Sequence, residues 1–147
     1  SAWYGENVDK RFMHFRAELL YILNQESALM EIVKLIGSDV LPDEQKLILD
    51  ISRVIRVGFL QQNAFHAEDT YVPLIKQFKM MEIILYLYEK AKLLVNIGIP
   101  MSVLNADGIW NRIINIKYDV PNNKLEMFDN YKQDIDRFYS SISEKHA

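Results

Sequence analysis

Apolar residues recur at three- and four-residue steps along most of this chain, the spacing that gathers them on one face of an α-helix. Phe12, Phe15, Leu19, Ile22, Leu29, Ile32, Val33 and Ile36 form the first stripe. Gly37 is a natural stop, because glycine adopts the left-handed backbone that closes a helix. Asn24, Gln25, Glu26 and Ser27 interrupt the stripe, so a bend or break is expected there. A second helix is expected from Pro42, which suits the first helical position, with Asp43 and Glu44 complementing the positive end of the dipole. Leu47, Ile51, Val54, Ile55 and Phe59 carry its apolar face, and Gly58 interrupts it at a cost of about 1 kcal/mol relative to alanine.

Residues 61–70 read as a loop. Thr70 or Asp69 then caps a third helix with Pro73 in its first turn. That helix carries Leu74, Phe78, Met81, Ile84, Leu85, Tyr88, Leu93 and Leu94, runs to about Asn96 and ends at Gly98. Pro100 opens a short helix to about Leu104, a turn spans 105–108, and 109–118 forms another short helix around Trp110, Ile113 and Ile114. Val120 and Pro121 break the chain. A last amphipathic helix from Asn123 bears Leu125, Phe128, Tyr131, Ile135 and Phe138. No alternating strand pattern and no internal repeat is present. The expected fold is all-α, a single antiparallel helical bundle over 1–147 with short loops.

With 147 residues, a chain buries about 70% of its unfolded surface, enough for a real core. The absence of cysteine excludes disulfides, thiolate zinc sites and cysteine nucleophiles, and fits a reducing compartment. A net charge of -3 and a pI near 5.6 argue against nucleic-acid binding, including by a helix-turn-helix, which needs a basic face. No apolar run approaches the ~18 residues of a membrane span, and the polar N-terminus lacks a secretory signal. The Ser-Ala start reads as a processed or engineered boundary, so a piece of a longer protein is expected.

The inventory for catalysis is poor. His14 and His146 read as surface or tail residues. His66 precedes Glu68 and Asp69, but a metal there would need ligands from elsewhere, so no metal site is expected. Neither a P-loop nor a dinucleotide fingerprint occurs. The chain therefore does not itself hold nucleotide phosphates, and no catalytic residue is expected in it. Met81, Leu85 and Tyr88 read as core. Lys46, Arg53 and Arg56 read as a solvated basic edge, and Asp39, Asp43 and Glu44 as an ordinary helix start. One segment stands apart: FLQQNAF, residues 59–65, sets two phenylalanines around three amides at a helix-to-loop junction. Such a segment either packs onto the core or forms an apolar slot for a flat ring, with amides for its polar edge.

FLQQNAF also resembles a signature near the C-terminus of the catalytic A subunit of archaeal and vacuolar-type rotary ATPases. The resemblance covers roughly residues 3–118. It includes EIVKLIGSDVL followed by PDEQ (31–45) and DTYVPLIKQFKMMEIILYLYEKA (69–91); the last helix matches in character only. It implies the C-terminal helical domain of a larger nucleotide-binding subunit. ATP or ADP with magnesium would be held by a P-loop domain elsewhere in that subunit, and by nothing in this piece alone. By the same resemblance Phe59, Gln62, Ala64 and Phe65 line the adenine side of the pocket, with Ala64 and Phe65 as alternatives because the F-type alignment shifts by one residue. GSDVLPDEQKL (37–47) is similar, more distantly, to the acidic turn of F-type ATP synthases that faces the rotating stalk. This implies stalk-facing Asp39, Val40, Leu41, Asp43 and Glu44. The turn is less acidic here, since Val40, Pro42 and Gln45 replace charged or polar members. The Arg-Glu pair usual before FLQQNAF is replaced by Arg56-Val57-Gly58. Implied partners are central-stalk subunits and a B-type subunit. The implied location is the cytoplasmic head of an ion- or proton-moving ATPase, peripheral to the membrane. A stand-alone helical adaptor that binds partner helices is the competing expectation.

Overall fold

The computed structural model describes residues 2–60 and 73–146. Among them lie seven α-helices: α1 (Ala2–Ile36), α2 (Asp43–Arg53), α3 (Leu74–Asn96), α4 (Met101–Asn105), α5 (Ile109–Ile114), α6 (Ile116–Asp119) and α7 (Phe128–Lys145). A π-helical segment, Val54–Leu60, continues α2, and a 3-10 turn, Leu125–Met127, leads into α7. No strand occurs among the described residues, in keeping with the all-α expectation.

Proline and glycine punctuate the helices. Pro42, Pro73 and Pro100 each stand just before a helix in extended backbone, one position earlier than expected. Their carbonyls accept the first helical bonds, from Gln45, Gln77 and Val103. The fixed proline φ and its extended ψ make it a helix boundary here rather than a first helical residue. Gly37 (φ +82) and Gly98 (φ +96) close α1 and α3 in left-handed backbone, and Gly37 N–H donates to Val33 O at 2.8 Å.

Three expectations shift. α1 runs unbroken through 24–27, for a reason given below. Residues 109–118 split at Asn115, whose amide Nδ2 donates to Asn111 O at 2.9 Å and competes with the helix ladder. The last helix starts at Phe128 rather than Asn123.

α3 is the hub and packs on α1, α2 and α7. Its face of Met80, Met81, Ile83, Ile84, Leu87 and Leu94 is almost wholly inaccessible. Leu29, Leu47 and Val95 surround one cavity, and Leu19, Phe59 and Met81 another. α2 is thus antiparallel to both α1 and α3. α7 runs with α3: Lys132 stacks on Tyr86 and Lys90 on Tyr139, at 5.1 and 4.7 Å from the ring centres. The short helices α4–α6 carry the chain back between them, and Trp110 Nε1 donates to Leu104 O at 2.9 Å to fold α5 onto α4.

Candidate functional site

Of the residues singled out by sequence, Phe59 and the set at 39–44 lie at opposite ends of α2 and its π-helical continuation. At one end stands Phe59, half-buried in the π-helical segment. It walls a cavity of about 260 Å³ with Phe12, Leu19, Ile55 and Met81, and Arg16 and Gln77 add polar groups. Gln62, Ala64 and Phe65 lie outside the described residues, as do His66, Glu68, Asp69 and Thr70.

The backbone beside Phe59 is held closely. A Cβ on Gly58 would stand 3.1 Å from the carbonyl oxygen and 3.2 Å from the Cα of Ile114 in α5. The glycine therefore permits a close approach of a neighbouring backbone that any side chain would crowd. The π-helical turns around it are wider than α-helix, and such turns frequently occur at functional sites. Arg56 forks onto Glu26 of α1, with Nε to Oε1 at 3.0 Å and Nη2 to Oε2 at 2.7 Å. Glu26 is only 9% exposed. The polar run 24–27 thus supplies an inward carboxylate for Arg56, which keeps α1 continuous, and Arg56 stays exposed on the expected solvated edge while its guanidinium reaches Glu26.

Sequence reasoning missed Lys76. In the first turn of α3, its side chain is fully buried. Nζ donates to Lys117 O at 2.8 Å, Val120 O at 2.6 Å and Asn122 Oδ1 at 2.9 Å. A signal existed: Lys76, Met80, Ile83 and Leu87 follow helical spacing, so the lysine occupies an apolar stripe.

At the other end, the turn after α1 presents Asp39, Val40 and Glu44 to solvent. Leu41 is buried. Asp43 is half-buried, and its Oδ1 accepts the N–H of Met101 at 2.9 Å, tying the start of α2 to the start of α4. Leu35 and Ile36, 85% and 59% exposed, extend the surface of Val40, so its accessible face is more apolar than acidic. Behind it a cavity of about 380 Å³ opens among Leu29, Leu47 and Val95, with Glu44 and Lys92 also lining it.

Four titrations are displaced, those of Tyr88 and Tyr131 upward chiefly by burial. Burial raises the Asp50 carboxyl, and the hydrogen bond from Asn105 opposes the rise. Burial, then the hydrogen bond to Asp136 and its charge, push the Tyr86 phenol up to about 12. No cluster of acidic or histidine side chains able to hold a metal occurs among the described residues. No described helix is long and apolar enough to cross a membrane.

The family model for the C-terminal domain of V and A type ATP synthase matches residues 1–101. The chain is 43% identical, over 98% of its length, to V-type ATP synthase alpha chain 2 of Clostridium tetani, of which it covers 24%. It is 39% identical over 99% of its length to the V-type ATP synthase alpha chain of Halothermothrix orenii, covering 25%. It is 37% identical over 97% of its length to the A subunit of the A-type ATP synthase of Methanopyrus kandleri, covering 24%. The chain thus spans about a quarter of the length of the curated relatives it matches.

Proposed function

Because the chain belongs to the family of C-terminal domains of V and A type ATP synthases, we propose that it couples an adenine nucleotide site to a rotating central stalk. In this reading it is the helical domain of a catalytic A subunit. The phosphates and magnesium are held by a P-loop domain elsewhere in the longer protein. Phe59, with Gln62 and one of Ala64 and Phe65, lines the adenine side. The turn at 39–44 meets the stalk through Asp39, Val40 and Glu44. Leu41 and Asp43, held inward, set the shape of that turn. The wider assembly would include stalk subunits and a B-type subunit, and would sit as a peripheral head on the cytoplasmic side of an ion- or proton-moving membrane sector. This piece alone, lacking a P-loop, would hydrolyse no ATP.

The observation that carries the reading is the continuity of residues 43–60. One end of this helical rod follows the turn and the other bears Phe59. At about 1.5 Å per residue it spans on the order of 25 Å. Leu47, Ile51, Val54 and Ile55 pack into the core with at most 1% exposure. Close-packed side chains compress little, so a displacement at Phe59 reaches the turn as rigid-body motion. Aromatic enclosure suits a purine ring, which buries both faces and leaves its edge for amides. The adaptor reading gives way to the family match, and nothing in the described residues favours it.

The test is Phe65→Ala in the intact catalytic subunit, with ATP affinity measured directly. Loss of aromatic burial and stacking is expected to cost about 1–3 kcal/mol, about 5- to 150-fold in Kd. Unchanged affinity removes Phe65 from the pocket.

A further inference from the structure

The rod that joins the turn to Phe59 has one weak point, the change from α- to π-helix after Arg53. There the N–H of Val54 is shared between Asp50 O and Ile51 O, one donor for two acceptors. Beyond it the hydrogen-bond ladder lengthens by one residue. Sharp helix kinks fall at π-turns. A rod that bends at residue 53 would lose a displacement in the bend instead of passing it on.

A second piece of chain lies along that junction. α4 is tied to α2 at both of its ends: Met101 N–H donates to Asp43 Oδ1 and Asn105 Nδ2 to Asp50 Oδ2, each at 2.9 Å. α4 is tied in turn to α5, where Trp110 Nε1 donates to Leu104 O at 2.9 Å. α5 packs on the π-helical segment, and its Ile114 backbone closes on Gly58. Met101, Leu104 and Ile113 are at most 1% exposed, so both short helices are seated in the core. Apolar burial has no direction; the directed bonds fix where the two helices lie along the rod. Their attachments fall at residues 43 and 50, before the junction, and at 58, after it. We propose that α4–α5 is a splint across the α-to-π junction, with Asn105 and Trp110 as its positioning residues, and that it keeps residues 43–60 moving as one piece. The proposal rests on the reading that this rod carries motion between a nucleotide site and the stalk.

The test is the double variant Asn105→Ala, Trp110→Phe. It removes two of the side-chain ties, keeps an aromatic ring at 110, and alters neither the rod nor its ends. The chain contains no cysteine, so nitroxides attached through Glu44→Cys and Leu60→Cys report the length of the rod by pulsed electron paramagnetic resonance. One narrow distance distribution is expected with the splint intact, and a distribution about twice as wide in the double variant. In the assembled rotary ATPase whose full-length catalytic chain carries the double variant, ions moved per ATP are expected to fall about twofold, with KM for ATP held within about twofold. Asn105→Ala alone alters an exposed side chain; a smaller broadening in the same direction is expected, and this variant decides the question if the double variant does not fold. A distribution as narrow as the parent's overturns the splint and leaves the coupling reading standing. A broadened distribution with an unaltered ion-to-ATP ratio means that the rod bends without consequence, and the reading of this rod as the transmission fails with the splint's role.

Discussion

The two ends of the α1–α2 pair are built on opposite principles. Around Phe59, the chain is pinned by close contacts: the fork of the exposed Arg56 on the buried Glu26, the buried Lys76 ammonium and a glycine pressed against the Ile114 backbone. Around 35–40, apolar side chains stand in solvent, and a Cβ on Gly37 would meet nothing within 4 Å. The pinned end loses freedom and gains a fixed geometry, which suits recognition of a flat ring. The open end keeps unburied apolar surface, which suits a partner that slides past. The rod between them belongs to one continuous core, so the ends differ in what they present rather than in how firmly the middle is packed.

The sharpest way to break this comparison is at Gly58. Gly58→Val places a branched side chain against the main chain of Ile114, which cannot rotate aside. Overpacking of this kind costs about 1–3 kcal/mol, and should appear as a lower urea midpoint with unchanged slope in the isolated domain. If the valine variant matches the parent protein in stability, the approach of α5 is looser than 3.1 Å and the pinned end loses one of its supports.

Gly58 also marks how far the sequence could be read. Helical spacing located the long elements, because burial of a stripe dominates helix placement. Proline and glycine located most boundaries to within a residue. What the sequence hid were long-range polar partners. Gly58 looked like a flaw until the backbone of Ile114, distant in sequence, came against it. The run 24–27 looked like a break because Arg56, 30 residues on, was needed to complete it. Lys76 was legible as a lysine in an apolar stripe, but two of its acceptors are main-chain carbonyls with no signature in residue type, and the third, Asn122, lies 46 residues on. Of the stalk-facing set, only the turn as a whole was legible: that Leu41 points inward and that Asp43 reaches α4 depends on α4 being folded beside α2.

The flank of α3 that carries α7 offers a control outside both ends. There Tyr86 is bound to Asp136 and lies under Lys90 and Lys132. Its phenol is raised from 10.0 to about 12, so the folded state holds the proton more tightly than the unfolded state. The resulting stability is fully present below pH 10 and is lost as pH climbs through about 12. Tyr86→Phe should remove part of that alkaline loss, leaving the share due to Tyr88 and Tyr131, which burial also raises. Ultraviolet titration of the phenolates, with denaturation at stepped pH, checks both statements. Nucleotide parameters should not move, because the clamp touches neither end.

The smallest expected effect on stability falls at the open end, and it is the most informative about function. Leu35 and Val40 are 85% and 62% exposed, so the double variant Leu35→Ser, Val40→Ser removes little buried area. Substitutions of exposed residues stay within about 0.5 kcal/mol, and thermal unfolding of the isolated domain should be nearly unchanged. In the assembled ATPase the same variant removes the apolar face that we assign to the stalk, so ATP hydrolysis should continue while fewer ions move per ATP. KM for ATP should stay where it is, since the core-packed rod separates these residues from Phe59. Such a result would place coupling at the turn and binding at the motif. A stability loss above about 1 kcal/mol would instead mean that Leu35 and Val40 already serve the fold, and an unaltered ion-to-ATP ratio would move the stalk contact away from this turn.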